Sequence, residues 1–159
     1  MTPLSDAAAS NSHLAKAEQV LRAVAHNRGP DFSGVGIVFY ERLALLPHLQ
    51  LTNNSEEPDA VRFAGCSLED ALLSVSSIGS PLHDGFHFVD VASWTLTHLS
   101  QFISPPIPHD AAQHFHGTGA RLMAALLASL QSGIACVGLV SQGGEVHLFT
   151  NGFDAAAKD

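Results

Sequence analysis

Positive charge is scarce in this chain. Seven Lys and Arg stand against 15 Asp and Glu, giving a formal net charge of −8 over 159 residues. Neutralising a nucleic-acid backbone takes many cations, so this balance argues against DNA or RNA as a partner. An acidic membrane surface is disfavoured for the same reason. Cysteine is scarce too. Cys66 and Cys136 lie in apolar surroundings and read as buried free thiols rather than a disulfide or a metal pair. No apolar run reaches membrane-spanning length. The opening MTPLSDAAASNS lacks the basic and apolar regions of a signal peptide. These absences lead us to expect a soluble, cytoplasmic chain. Familiar nucleotide motifs are also missing. There is no Gly-x-x-x-x-Gly-Lys phosphate loop and no Gly-x-Ser-x-Gly elbow, and Gly34-Val35-Gly36 lacks a third glycine and reads as a strand entry.

What is present is a core. Apolar residues make up 46% of the chain and charged ones 14%, enough for one globular domain and too apolar for disorder. We expect frayed residues at 1–12, a single domain over 13–153 and a flexible tail at 154–159. Leu14, Ala17, Val20, Leu21 and Val24 fall at helical spacing over residues 13–25. Residues 35–40 read as a buried strand, with shorter strands at 49–52 and 61–64. Ser67 opens a second helix, with Asp70 at the third helical position as in a capping box. Leu68, Leu72, Leu73 and Ile78 give that helix an apolar side, and Gly79-Ser80-Pro81 stops it. Strands follow at 86–92 and 94–99, then a proline-rich loop at 104–109. Thr118 or Gly119 caps a third helix running through Leu122, Leu126 and Leu130 to Gly133. Residues 134–140 and 146–150 form a hairpin around Gln142-Gly143-Gly144. This order predicts an α/β (α+β) chain, a mixed twisted β-sheet flanked by helices.

Ten histidines raise the question of a metal. His83 and His87 are four apart and His114 and His116 two apart, but Gly85 and the strand after it argue against one helical face carrying the first pair. Hydrogen-bonded histidines are the favoured reading and a zinc site the minor one. Arg121 is the sole Lys or Arg between Phe63 and Ala157. It follows Gly117-Thr118-Gly119-Ala120 at a helix start, where unpaired N–H groups and the helix dipole suit a phosphate. Thr118 could add a hydroxyl and Arg121 a bidentate guanidinium. A plain capped helix with Arg121 in solvent explains the segment about as well. His83-Asp84-Gly85 is a second candidate: Asp84 could hold a divalent metal or accept a proton, or the segment is an Asp-Gly turn. Ser141-Gln142-Gly143-Gly144 is the third, a strand-end serine for a phosphate or a simple hairpin turn.

In order and spacing, these three segments resemble the diadenylate cyclase (DAC) domain, which condenses two ATP molecules into cyclic di-AMP. Pro81-Leu82-His83-Asp84-Gly85-Phe86 matches five of the six positions in the family's Pro-Leu-His-Asp-Gly-Ala. Gly117-Thr118-Gly119-Ala120-Arg121-Leu122-Met123-Ala124-Ala125 is similar to Gly-Thr-Arg-His-Arg-Ala-Ala. Val140-Ser141-Gln142 is similar to Val-Ser-Glu. The likeness spans roughly residues 30–152 and implies a mixed, twisted sheet with flanking helices.

By that resemblance Asp84 binds Mg²⁺ or Mn²⁺ and helps activate the ribose hydroxyl. Thr118 and Arg121 hold the triphosphate and Ser141 touches phosphate, while Gly85 and Gly117 keep the backbone close to the nucleotide; Gly119 stays a phosphate candidate from the helix start alone. The departures concern the same site. With two residues inserted after Thr118, Leu122 and Met123 replace His and Arg; with no gap, Arg121 takes the second arginine's place. The shared Ala-Ala-Leu favours the insertion. Gln142 replaces a carboxylate, and Phe86 replaces a small alanine. A charge-assisted hydrogen bond contributes roughly 1.5–3 kcal/mol, and loss of a preorganised donor costs about 10²–10³ in rate. The expectation is therefore a catalytically degenerate domain that binds an adenine nucleotide, ATP or cyclic di-AMP, as a sensor. The alternatives are an active cyclase, which implies a homo-oligomer with two domains face to face, and an interaction module that binds no ligand.

Overall fold

The computed structural model describes residues 3–51, 67–111 and 119–156. The strand expected at 61–64, together with Cys66, His114, His116, Gly117 and Thr118, lies outside the described residues. Helix α1 spans Pro3–Asn27, β1 Val35–Tyr40, β2 His48–Gln50, α2 Leu68–Val75, β3 Phe86–Asp90 and β4 Thr95–Ile103. Helix α3 spans Ala120–Ala128, followed by β5 Ile134–Val140, β6 Val146–Thr150 and β7 Phe153–Asp154. The strands form one sheet in the order β2-β4-β3-β1-β5-β6-β7. Only β1 and β3 run parallel; the other neighbours are antiparallel.

Strand β1 is apolar throughout because both of its faces are covered. Val35, Ile37 and Phe39 join Leu21 and Val24 of α1 and Leu72 of α2 in one core cluster. Val38 points the other way, into a cluster with Phe86, Phe88, Leu139 and the α3 residues Ala125 and Ala128. A strand covered on both sides reads as a continuous apolar run. The result is the mixed sheet with flanking helices that the sequence predicts.

Several boundaries differ from expectation. Helix α1 begins at Pro3, so most of the stretch expected to be frayed is helical. Proline is well suited to a helix's first turn, where its missing N–H has no partner to lose. The capping reading at Ser67 holds, since its hydroxyl accepts from the Asp70 N–H at 3.1 Å. Helix α2 ends at Val75, so Ile78 lies beyond it and is exposed rather than on an apolar helical side. Helix α3 ends at Ala128, before Leu130. Asp154, assigned by sequence to a flexible tail, belongs to β7 and pairs in the sheet. Cys136 is buried and free, and burial pushes its thiol up to about 12.

Candidate functional site

Arg121 sits in the first turn of α3 after an N-cap, Gly119, that offers no side-chain cap. From there its guanidinium reaches back over the sheet. Nη2 lies 3.5 Å from the Gly85 carbonyl, at the limit of a hydrogen bond. The guanidinium carbon is 5.9 Å from the centre of the Phe86 ring. Nη1 lies 3.5 Å from the point where a Gly34 side chain would begin. Arg121 therefore bridges the starts of β1 and β3, the two parallel strands. Arg121 remains solvent-exposed, as the plain reading of the segment expects; such desolvation as it has pulls its pKa down, and the Asp84 carboxylate opposes that shift. An arginine so placed stays cationic.

Two clefts of about 300 Å³ each meet at this side chain. The first is walled by Ser33 and Gly34 before β1, by Ser141, Gln142 and Glu145 at the β5–β6 turn, and by His147 on β6. The second is walled by Asp84, Gly85 and Phe86 at the start of β3 and by Gln101, Phe102 and Ile103 on β4. The structure thus brings Asp84, Gly85, Arg121, Ser141 and Gln142 to one region, with Gly119 at the foot of α3. Ser33, Gly34, Glu145 and His147 were not singled out from sequence. Gly34 carried a hint as part of Gly-x-Gly, but its place beside β5 depends on strand order.

Two of the plain readings survive in part. The Ser141 hydroxyl accepts from the Glu145 N–H at 2.9 Å and so pins the hairpin turn; its own hydrogen can still be donated into the cleft. Asp84 is 79% exposed, with His83 at 3.7 Å. One exposed carboxylate is a thin donor set for Mg²⁺ or Mn²⁺, which takes several oxygen ligands. Among the described residues no group of three His, Cys, Asp or Glu is placed to hold a metal ion. Asp84 is the carboxylate that would meet a Mg²⁺ or Mn²⁺ carried in with phosphates, such an ion completing its shell with waters and phosphate oxygens; His83 and His87 do not form a zinc pair. His83 lies in a turn with Nδ1 2.7 Å from the Ser80 carbonyl, while His87 is buried in β3.

Phe86, where the family motif has alanine, is accommodated by its neighbour. It is registered with Gly36 across the parallel pair, and a β-carbon on Gly36 would meet the Phe86 ring at 2.7 Å. The large side chain at 86 thus requires the missing one at 36. Gly36→Ala should cost about 1–3 kcal/mol in denaturant unfolding, as overpacking does. In a Phe86→Ala background the same substitution should cost under about 1 kcal/mol, because contacting residues do not add. Equal costs in both backgrounds would show that the ring does not set the size limit.

No protein-family model matches the chain, and no curated protein matches it in sequence. Solved structures do. One is a hypothetical membrane spanning protein from Bacillus cereus, 25% identical, with a TM-score of 0.52 over 91% of this chain and 61% of that one. This chain therefore spans about three fifths of that structure's length. Another is a double mutant of DacA from Staphylococcus aureus, 18% identical, with a TM-score of 0.51 over 92% of this chain and 88% of that one. No helix among the described residues of the present chain is long and apolar enough to cross a membrane. The seven-stranded mixed sheet with its flanking helices is a DAC-like fold, similar to that of DacA.

Proposed function

We propose that this chain is a DAC-like domain that binds the phosphates of an adenine nucleotide and works as a sensor rather than a cyclase. The observation that carries the reading is the position of Arg121. The one cation of the chain's central stretch stands where two clefts meet, at a helix start and beside the backbone of Gly34 and Gly85. A helix N-terminus and a guanidinium together suit a phosphate. Gly119 leaves that end of α3 without a side-chain cap. Thr118, Ser141 and Gln142 complete the proposed contacts.

The sensor reading rests on what is depleted. Gln142 stands in place of a carboxylate, and Leu122 and Met123 take the places of His and Arg in the alignment with an insertion. Asp84 has few partners for a metal.

Calorimetry with ATP, ADP and cyclic di-AMP tests the proposal. Saturable binding of at least one of them is expected, and Arg121→Ala should weaken it roughly 10–100-fold, the loss of one charge-assisted contact. Absence of binding to all three, or an Arg121→Ala variant that binds like wild type, would overturn it. Cyclic di-AMP formed from ATP with Mn²⁺ or Mg²⁺, and lost in Asp84→Ala, would instead establish an active cyclase.

A further inference from the structure

His147 lines the same cleft as Arg121 and is held in an unusual setting. Its Nδ1 lies 2.9 Å from Asp154 Oδ2, and its Nε2 3.3 Å from Glu145 Oε1. The ring stacks on Phe149, with centres 6.0 Å apart and planes 4° from parallel. Asp154 is itself fixed, because its Oδ1 accepts from the N–H groups of Leu148 and Ala156, each at 3.0 Å. Burial opposes ionisation of Asp154, but these two N–H groups and His147 outweigh it and hold its carboxyl below the ordinary value. The Asp154 carboxylate is therefore a firm acceptor, and Nδ1–H is donated to it. This fixes the ring and presents the Nε2 edge to Glu145, a second residue of the cleft wall.

The two carboxylates differ in character. Asp154 is anchored in β7 with its side chain 17% exposed, whereas the Glu145 side chain is 72% exposed. The Glu145 carboxylate is an anion resting on the cleft edge of an imidazole, and little holds it there. Both ring nitrogens face carboxylate oxygens, and only the doubly protonated ring can donate to both. We infer that His147 is a second anion contact of this cleft, working with Arg121 on the ligand's phosphates, and that Glu145 is the internal anion the ligand displaces. The inference rests on the nucleotide reading above and extends it. A chain with one arginine at a phosphate site gains a second cation from a residue outside the three motifs.

Asp154 faces His147 from β7 and Glu145 from the turn, and Arg121 shares the cleft from α3. On the turn's other side the Arg28 guanidinium, at the end of α1, donates to the Gly143 carbonyl at 2.9 Å. A protonated imidazole attracts phosphate and a neutral one does not, so the contact depends on the ring's protonation.

The test is calorimetry with ATP and with inorganic tripolyphosphate, at about pH 6 and about pH 8.5, on wild type, His147→Gln, Glu145→Gln and Arg121→Ala. Comparing variants at each pH cancels the titration of the phosphates themselves. His147→Gln should bind about tenfold more weakly than wild type at the lower pH, and the deficit should shrink at the higher one. Glu145→Gln should bind several-fold more tightly, since a competing anion is gone. A purely structural role for His147 would leave the pH profile of binding unchanged. Arg121→Ala weakening with His147→Gln matching wild type at both pH values would overturn this inference alone. No binding of either probe by wild type would overturn the nucleotide reading and this one with it.

Discussion

A Gly85→Ala variant should melt roughly 6–12 °C below the wild-type chain, from a loss of about 3 kcal/mol or more at some 2–4 °C per kcal/mol. Two independent causes act at this position. Gly85 takes φ +79°, a region that side chains adopt only at a cost. A β-carbon there would also lie 2.6 Å from the Gln101 carbonyl oxygen and 2.9 Å from Leu51. The carbonyl belongs to the sheet backbone of β4, so it cannot swing aside as a flexible side chain would. The strand pair β3–β4 must shift, and with it the carbonyl that Arg121 Nη2 approaches. Gly79→Ala is the control: nothing lies within 4 Å of a β-carbon at that glycine. Its effect should stay within about 0.5 kcal/mol. Equal melting of the two variants would show that the approach of Gly85 to β4 is not tight in solution.

Acid should weaken the fold through one histidine. His87 is buried in β3, and its Nδ1 accepts from the Ser100 N–H at 3.1 Å, so the ring is neutral with its proton on Nε2. Burial, and then the charge of Arg121, push its pKa from 6.5 down to about 3. The unfolded chain takes up this proton near pH 6.5 and the folded chain does not until about pH 3. Between those values the unfolded state binds more protons, so stability falls as pH falls. From about pH 6.5 to pH 5 the loss is roughly 2 kcal/mol, at about 1.4 kcal/mol per pH unit. Denaturant unfolding at the two pH values measures it. His87→Gln cannot titrate and should lose most of that difference, whatever its stability at neutral pH. A variant with the wild-type slope would assign the acid sensitivity to other groups.

How much of this could be read from the chain depended on distance along it. β1, β5 and β6 were expected at the bounds observed: β1 and β5 because six or seven nearly continuous apolar residues between turn signals leave little freedom, and β6 because it returns from the Gln142-Gly143-Gly144 turn as the partner of β5. The cap at Ser67 was legible for a similar reason, since its partner is three residues away. Ile78 misled because helical spacing continues past the point where the chain stops being a helix. β7 was missed: two residues carry no period. Arg121 was legible as a candidate from its scarcity and its helix start. Ser33, Gly34 and His147 were not, because their nearness to Arg121 follows from β1 lying beside β5 and β5 beside β6. Phe86 was noted as a departure from the family motif, but its partner Gly36 could be found only once β1 and β3 were known to pair. Local chemistry names residues, and strand order decides which of them meet.

That strand order also bears on folding. β2, β4 and β3 lie on one side of β1 and β5, β6 and β7 on the other. The hairpin β5–β6 can form early, but β1 meets β5 about a hundred residues further along the chain, as Val35 opposite Val140 shows. Contacts so distant in sequence are slow to form. Arg121 lies over the join, beside Gly34 at the head of β1 and Gly85 at the head of β3. A ligand held by that guanidinium and by the β5–β6 turn would touch both halves of the sheet at once. It would slow amide hydrogen exchange along β1 and its neighbours, well beyond the residues it contacts, because opening either half would first require its release.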